Sequence, residues 1–316
     1  MVQDGRHRAS YRTETWSQNL AAATSLLLLL VGYGVETMTV QHSGMAAVTR
    51  QVHVGCEFQY AAEVETAAVF QVQPSGAAPT TVLRQGWETM PATDRHGYTD
   101  VYGNDCQRLC LPVGDTTLRY DAVVAVPDAT EAVDLDAAEL PAAQLPDDVL
   151  VYTLPSRYCL PDVLGDDAWR LFASEKPGYG RVQAICDHVH GHLRFDYGSS
   201  TSSTTAADAY AAASGVCRDF AHVAISFCRA LSIPARYVFG YLPAMDIPPP
   251  PEPMDFAAWM EVYLDGRWWT FDPRNNAARK GRVVIGRGRD AVDVAMVTTY
   301  GGPVLQNMRV WAEEAT

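Results

Sequence analysis

The sequence is short of charge, and of basic charge above all. Asp, Glu, Lys and Arg make up 19% of 316 residues, and acids outnumber bases 37 to 24, for a net charge of −13. Nucleic-acid binding wants clustered Lys and Arg against phosphates, so that class is excluded. The chain has no Gly-rich phosphate loop and no Ca²⁺-loop spacing. Cys106 and Cys110 have no second pair at zinc spacing beside them. No cofactor and no metal are therefore expected. A run of membrane length is missing too: the apolar stretch Leu20–Val31 falls short of the ~20 residues a span needs and is broken by Thr24 and Ser25. No stable membrane span is expected. The cysteines number seven, an odd count in a long chain. That argues against a disulfide framework and for reduced thiols in a cytoplasmic protein.

Hydrophobic residues are 48% of the chain. At this length two domains with sizeable cores are expected. Residues 1–44 read as a leader or an early start. Arg6, Arg8 and Arg12 ahead of the apolar stretch leave secretion by a signal within residues 1–31 as the alternative. From Val48 to Val126 the pattern is strand-like, with turn signals at Gly103-Asn104 and Gly114-Asp115, so 45–130 is expected to be an antiparallel β domain. Residues 131–154, acidic and punctuated by Pro, read as a linker. Helical spacing follows, over Asp166–Ala173 and Arg181–Leu193. The second of these carries His188, His190 and His192, which read as surface histidines for want of further ligands. The expected class is α+β: an N-terminal β domain, then a core at 155–276 with a helix packed on an antiparallel sheet. Residues 277–316 are expected to extend and pack on that core.

The chemistry concentrates in two stretches. In "SGVCRDFAHVAISFCRALSIP", Ser214-Gly215 signals a helix start, with Cys217 in the first turn and Pro234 ending the helix. A thiol there meets unpaired N–H groups and the positive end of the helix dipole, which favour thiolate and can steady an oxyanion. Cys228, among apolar residues in mid-helix, reads as an inert core thiol. In "AAWMEVYLDGRWWTFDP", Asp265-Gly266 predicts a two-residue hairpin turn. The turn fixes the register: Leu264 opposes Arg267, Tyr263 opposes Trp268, and Trp259 opposes Asp272. Position 257 is then a diagonal neighbour of Asp272 on one sheet face. An imidazole at 257 would bridge Asp272 and a thiol, the nucleophile, base and orienter arrangement of acyl-transfer enzymes.

"GVCRDFAH", "IPARYVFGY", "AWMEVYLDGRWWTFDPRNN" and "GRGRDAVDVAMVTTYG" resemble the bacterial branch of the transglutaminase-like superfamily, with its papain-like cysteine core. The likeness extends over most of the chain from about Val48. It implies Cys217 as nucleophile, Asp272 as orienter, and a substrate with an amide or glutamine side chain in a peptide or protein. It also implies a histidine at position 257, where this sequence has Ala257. His222 lies about 140° around the helix from Cys217 and points elsewhere, and Asp219 is no better placed. Three readings follow: an enzyme inactivated at its base, a binding protein using the old cleft, or an enzyme with another base. Hydrolysis and transfer are not distinguished, and the oligomeric state is open. The proline run Pro248–Pro251 reads as a stiff loop ahead of the cleft strand.

Overall fold

The computed structural model describes residues 48–77 and 79–315. The leader expected at residues 1–44 lies outside the described residues. Six strands come first: β1 (Thr49–Ala62), β2 (Thr66–Phe70), β3 (Thr81–Met90), β4 (Arg95–Thr99), β5 (Asp105–Leu111) and β6 (Gly114–Pro127). Helices α1 (Gly165–Phe172) and α2 (Tyr179–His192) follow, then β7 (Arg194–Phe195), α3 (Ala206–Ala212), β8 (Ser214–Gly215) and α4 (Cys217–Ala230). The chain closes with β9 (Ala235–Tyr241), β10 (Ala257–Leu264), β11 (Arg267–Phe271), β12 (Val283–Gly288), β13 (Val297–Thr299) and β14 (Val304–Glu314). The class is α+β, as expected. No helix among the described residues is long and apolar enough to cross a membrane.

The β domain has two four-stranded sheets, in the orders β14-β1-β6-β3 and β13-β2-β5-β4. Alternation along β1 sends Val52, Val54, Cys56 and Phe58 inward, and Phe58 meets Phe70 of the facing sheet edge-on at 5.7 Å. The core sheet runs β11-β10-β9-β12, and α4 packs on it, flanked by α1, α2 and α3. The tail at 277–316 does not pack on the core alone. β12 joins the core sheet, while β13 pairs with β2 and β14 pairs with β1 along most of its length. Without β14, β1 would be an unpaired edge over a buried face, which sheets avoid. A single hydrophobic cluster runs from β1 through α4 to β11, so the β domain and the core share one interior. The segment expected to be a linker also packs, since Leu145 and Val149 bury against Tyr263 of β10.

Candidate active site

Cys217 is the first residue of α4, and its N-cap is Val216 rather than the expected Ser214-Gly215. Those two residues instead pair with β7 in a short parallel ladder. The cap is supplied from within the helix: the Asp219 carboxylate accepts the Val216 N–H at 2.9 Å. Gly215 makes this approach feasible, because a Cβ there would come within 2.6 Å of the Asp219 Cβ. Asp219 is fully buried, and Arg218 pairs with its other oxygen at 3.1 Å. Asp219 thus acts in the helix cap, as a short acidic side chain in the first turn should.

α4 is buried nearly all round from Asp219 to Arg229. Its polar groups find partners inside: Ser226 Oγ donates to the His222 carbonyl, and Arg229 donates to the carbonyls of Leu154, Ala235 and Arg289. His222 stacks on Tyr158 at 5.2 Å, and its Nε2 accepts the Ala291 N–H. Burial holds its pKa well below the ordinary value, so it is neutral, and it does not line the Cys217 cavity described below. His188 and His192 stack on each other at 5.6 Å and hydrogen-bond to Tyr210 through its hydroxyl and its carbonyl. They are half-buried rather than surface residues, unlike His190, which is exposed. Cys228 is buried as expected, and burial raises its pKa far above a free thiol.

The hairpin has the expected register, with Leu264 opposite Arg267 and Tyr263 opposite Trp268. Asp265 (φ 48°) and Gly266 (φ 78°) both take left-handed backbone, the two-residue turn that matches strand twist. Extending the ladder three residues past Met260–Phe271 would bring Ala257, the start of β10, alongside Arg274. Phe256, just ahead of β10, lies among Phe58, Phe239 and Tyr241. A β-domain residue, Phe58, therefore helps fix the strand end that faces the thiol. The Cys217 sulfur lies 4.0 Å from the Phe256 carbonyl oxygen.

Cys217 and Ala257 line one cavity of about 320 Å³. Its walls are the loop 244–256, including Pro248 and Pro250, and the segment Arg274, Asn275 and Arg279. The proline loop is thus part of the cleft wall. No histidine lines this cavity among the described residues. Burial pushes the Cys217 thiol up to about 11; Arg274 pulls it down and Asp255 adds to the rise. The thiol is protonated at neutral pH despite its place at a helix start.

Asp272 does not line this cavity; it lines a separate one with Asn276 and Arg282. Its Oδ1 accepts the N–H groups of Arg274 and Asn275, at 3.1 and 2.9 Å. Its Oδ2 accepts Asn275 Nδ2 at 2.7 Å and Arg282 Nη2 at 2.8 Å. Burial works to raise this carboxyl, but the Arg282 guanidinium and the Asn275 hydrogen bonds outweigh it and hold its pKa below the usual range. Arg282 is itself mostly buried, pairs with Glu131 as well, and lies over the Trp259 ring. Sequence reasoning missed Asn275, Arg282, Arg274 and Asp255. The first two are the polar neighbours that the buried carboxylate requires.

Residues 168–273 match the family model of the transglutaminase-like superfamily. This segment is a transglutaminase-like core. A candidate cysteine protease from Cytophaga hutchinsonii has the same fold, with a TM-score of 0.77 and 29% identity over 85% of this chain and 92% of that one. An uncharacterised protein of Mycobacterium leprae is 27% identical over 71% of this chain and 82% of its own length. One from Mycobacterium tuberculosis is 34% identical over 143 residues, 42% of this chain and 45% of its own.

Proposed function

We propose that this chain is a cysteine acyl-transfer protein of transglutaminase-like design that keeps its amide-binding cleft and nucleophile but lacks the base. The observation that carries this reading is the shared cavity of Cys217 and Ala257, with a protonated thiol and, among the described residues, no imidazole on its walls. In the full reaction the Cys217 sulfur attacks the amide carbon, the C–N bond breaks, and the amine leaves with an added proton. The thioester then passes to water or to another amine. Without a base at 257, both the thiol proton and the proton for the leaving amine must travel through solvent. In the serine-triad template, loss of one member leaves only ~10³–10⁴-fold acceleration over water. Acylation is slow and turnover slower. The substrate is a peptide or protein bearing an amide or a glutamine side chain, as the likeness to a cysteine protease supports.

A specific observation favours the second reading, a binding module. Both oxygens of Asp272 already hold two hydrogen bonds each, from Arg274, Asn275 and Arg282. The carboxylate that would orient an imidazole is satisfied without one. The test is turnover of a glutamine-containing peptide, with mass analysis of Cys217 for a trapped acyl group. The proposal expects traces of acyl-enzyme in the parent, none in Cys217→Ser, and steady turnover only in Ala257→His. Rapid turnover by the parent would overturn it and point to another base.

A further inference from the structure

Four charged side chains line the Cys217 cavity: Arg274 and Arg279 on one wall, Glu252 and Asp255 on the proline loop. Among the described residues, none of the four forms a salt bridge, although most other buried charges here are paired: Arg282 with Glu131 and Asp272, and Glu261 with Arg236. Arg274 lies over the Phe195 ring at 4.2 Å, and its side-chain N–H groups reach only Asn275 Oδ1, at 3.5 Å. Arg279 donates to the Pro243 carbonyl and, at 3.5 Å, to Asn275 Oδ1, and its buried Nε has no partner among the described residues. Asp255 accepts only the adjacent Phe256 N–H. Arg274, Asp255 and Glu252 all act on the Tyr197 hydroxyl at the cavity edge, and Arg274 and Asp255 act on Cys217 itself.

Arg274, Arg279 and Asp255 are half-buried, while Glu252 stands exposed at the rim. Half-buried charges that stay unpaired lose hydration without compensation, which favours a site where a ligand supplies the partner. Two cations on one wall and two anions on the other match a ligand carrying both charges. A volume of about 320 Å³ is at the small end of ligand clefts, which suits amino-acid or dipeptide size. Resting on the cleft reading above, we infer that the amide ligand of this site is a small zwitterion. Its carboxylate is taken by Arg274 and Arg279, its ammonium by Asp255 and Glu252, and its amide carbon is presented to Cys217. L-Glutamine has this pattern. An internal glutamine in a protein, with neither charge, is the poorer fit.

The experiment is calorimetric binding at neutral pH to the full chain, with four probes: L-glutamine, its N-acetyl derivative, its α-amide and the doubly capped N-acetyl α-amide. Each cap removes one charge-assisted contact, so each singly capped form is expected to bind about tenfold more weakly or worse, and the doubly capped form weakest. Arg274→Gln should narrow the gap between glutamine and its α-amide, and adding Arg279→Gln should close it, while both leave the N-acetyl penalty. Asp255→Asn should do the reverse. Ala257→Trp, which fills the cavity, should abolish binding of every probe. If the doubly capped form binds as well as glutamine and Ala257→Trp blocks it, the zwitterion assignment falls while the amide cleft stands. If Ala257→Trp leaves binding intact, or no probe binds, the cleft reading falls with it.

Discussion

Installing an imidazole at position 257 should transform the reactivity of Cys217, and the size of the change follows from the site. The thiol sits near pKa 11 because burial disfavours its anion, and Arg274 and the Ala258 backbone pull the other way without offsetting it. At pH 7.5 that leaves about 3 in 10⁴ of the sulfur as thiolate. An imidazolium on Ala257→His would face the sulfur in the same cavity and favour the anion. Bringing the thiol back to the free-cysteine value of about 8.5 would raise the thiolate fraction roughly 300-fold. Nucleophilicity falls with pKa, with a slope of about 0.4–0.5 per unit, which takes back roughly tenfold. The net expectation is about 15- to 30-fold faster alkylation by iodoacetamide at neutral pH, with the inflection moved down by two units or more. Cys110 is the exposed thiol that would contribute background, so both proteins should carry Cys110→Ser. Cys217→Ser gives the blank for the buried remainder. An inflection still near 11 in the histidine variant would show that position 257 does not address the sulfur, and the reading of a vacated base would fail.

Other consequences are open to direct measurement. Arg282→Met leaves the buried Asp272 carboxylate without its guanidinium and should cost about 3–5 kcal/mol in urea unfolding. In the parent this carboxyl is held below its unfolded value, so its stabilisation is present above pH ~4 and lost as pH falls through the folded value. In the variant the carboxyl rises instead, so the deficit should be larger at pH 8 than at pH 4; a deficit independent of pH would refute the assignment. His222 is buried neutral, with a folded pKa far below the unfolded one, so stability should fall as pH drops below about 6.5, by up to roughly 1.4 kcal/mol per unit from this group. His222→Phe should flatten that slope in pH-dependent melts. Gly240→Ala would place a Cβ 2.2 Å from the Val283 carbonyl oxygen and 2.8 Å from the Trp259 ring, and should destabilise by about 1–3 kcal/mol or more in thermal unfolding. Ending the chain after Gly302 strips β14 from β1 and should abolish cooperative unfolding if the tail is part of the β domain.

Local rules made much of the site legible in advance. Asp265-Gly266 specifies a left-handed two-residue turn, and such a turn leaves one register for the hairpin. On spacing alone this register predicts position 257 near Asp272. The run from Cys217 to Pro234 predicts its helix because apolar spacing and a proline stop are properties of neighbours in the chain. α3 was missed although its Thr205–Asp208 capping box was there to read, since its Ala-rich body carries little periodic signal.

What the tertiary structure alone decided are relations between residues far apart in sequence. Asn275, three residues on, is within local reach of Asp272, but only the fold brings Arg282 onto the same carboxylate and leaves it out of the Cys217 cavity wall. Arg274, Arg279, Glu252 and Asp255 are ordinary charges in sequence and become an unpaired set only where the proline loop folds over Cys217. β14 lies 242 residues or more from its partner strand β1, whose unsatisfied edge and buried face call for it through long-range hydrogen bonding that no local pattern encodes. The helix start favours thiolate as a local property. Whether the thiolate forms depends on the burial and charges that the whole fold sets around it, and here they hold the proton on.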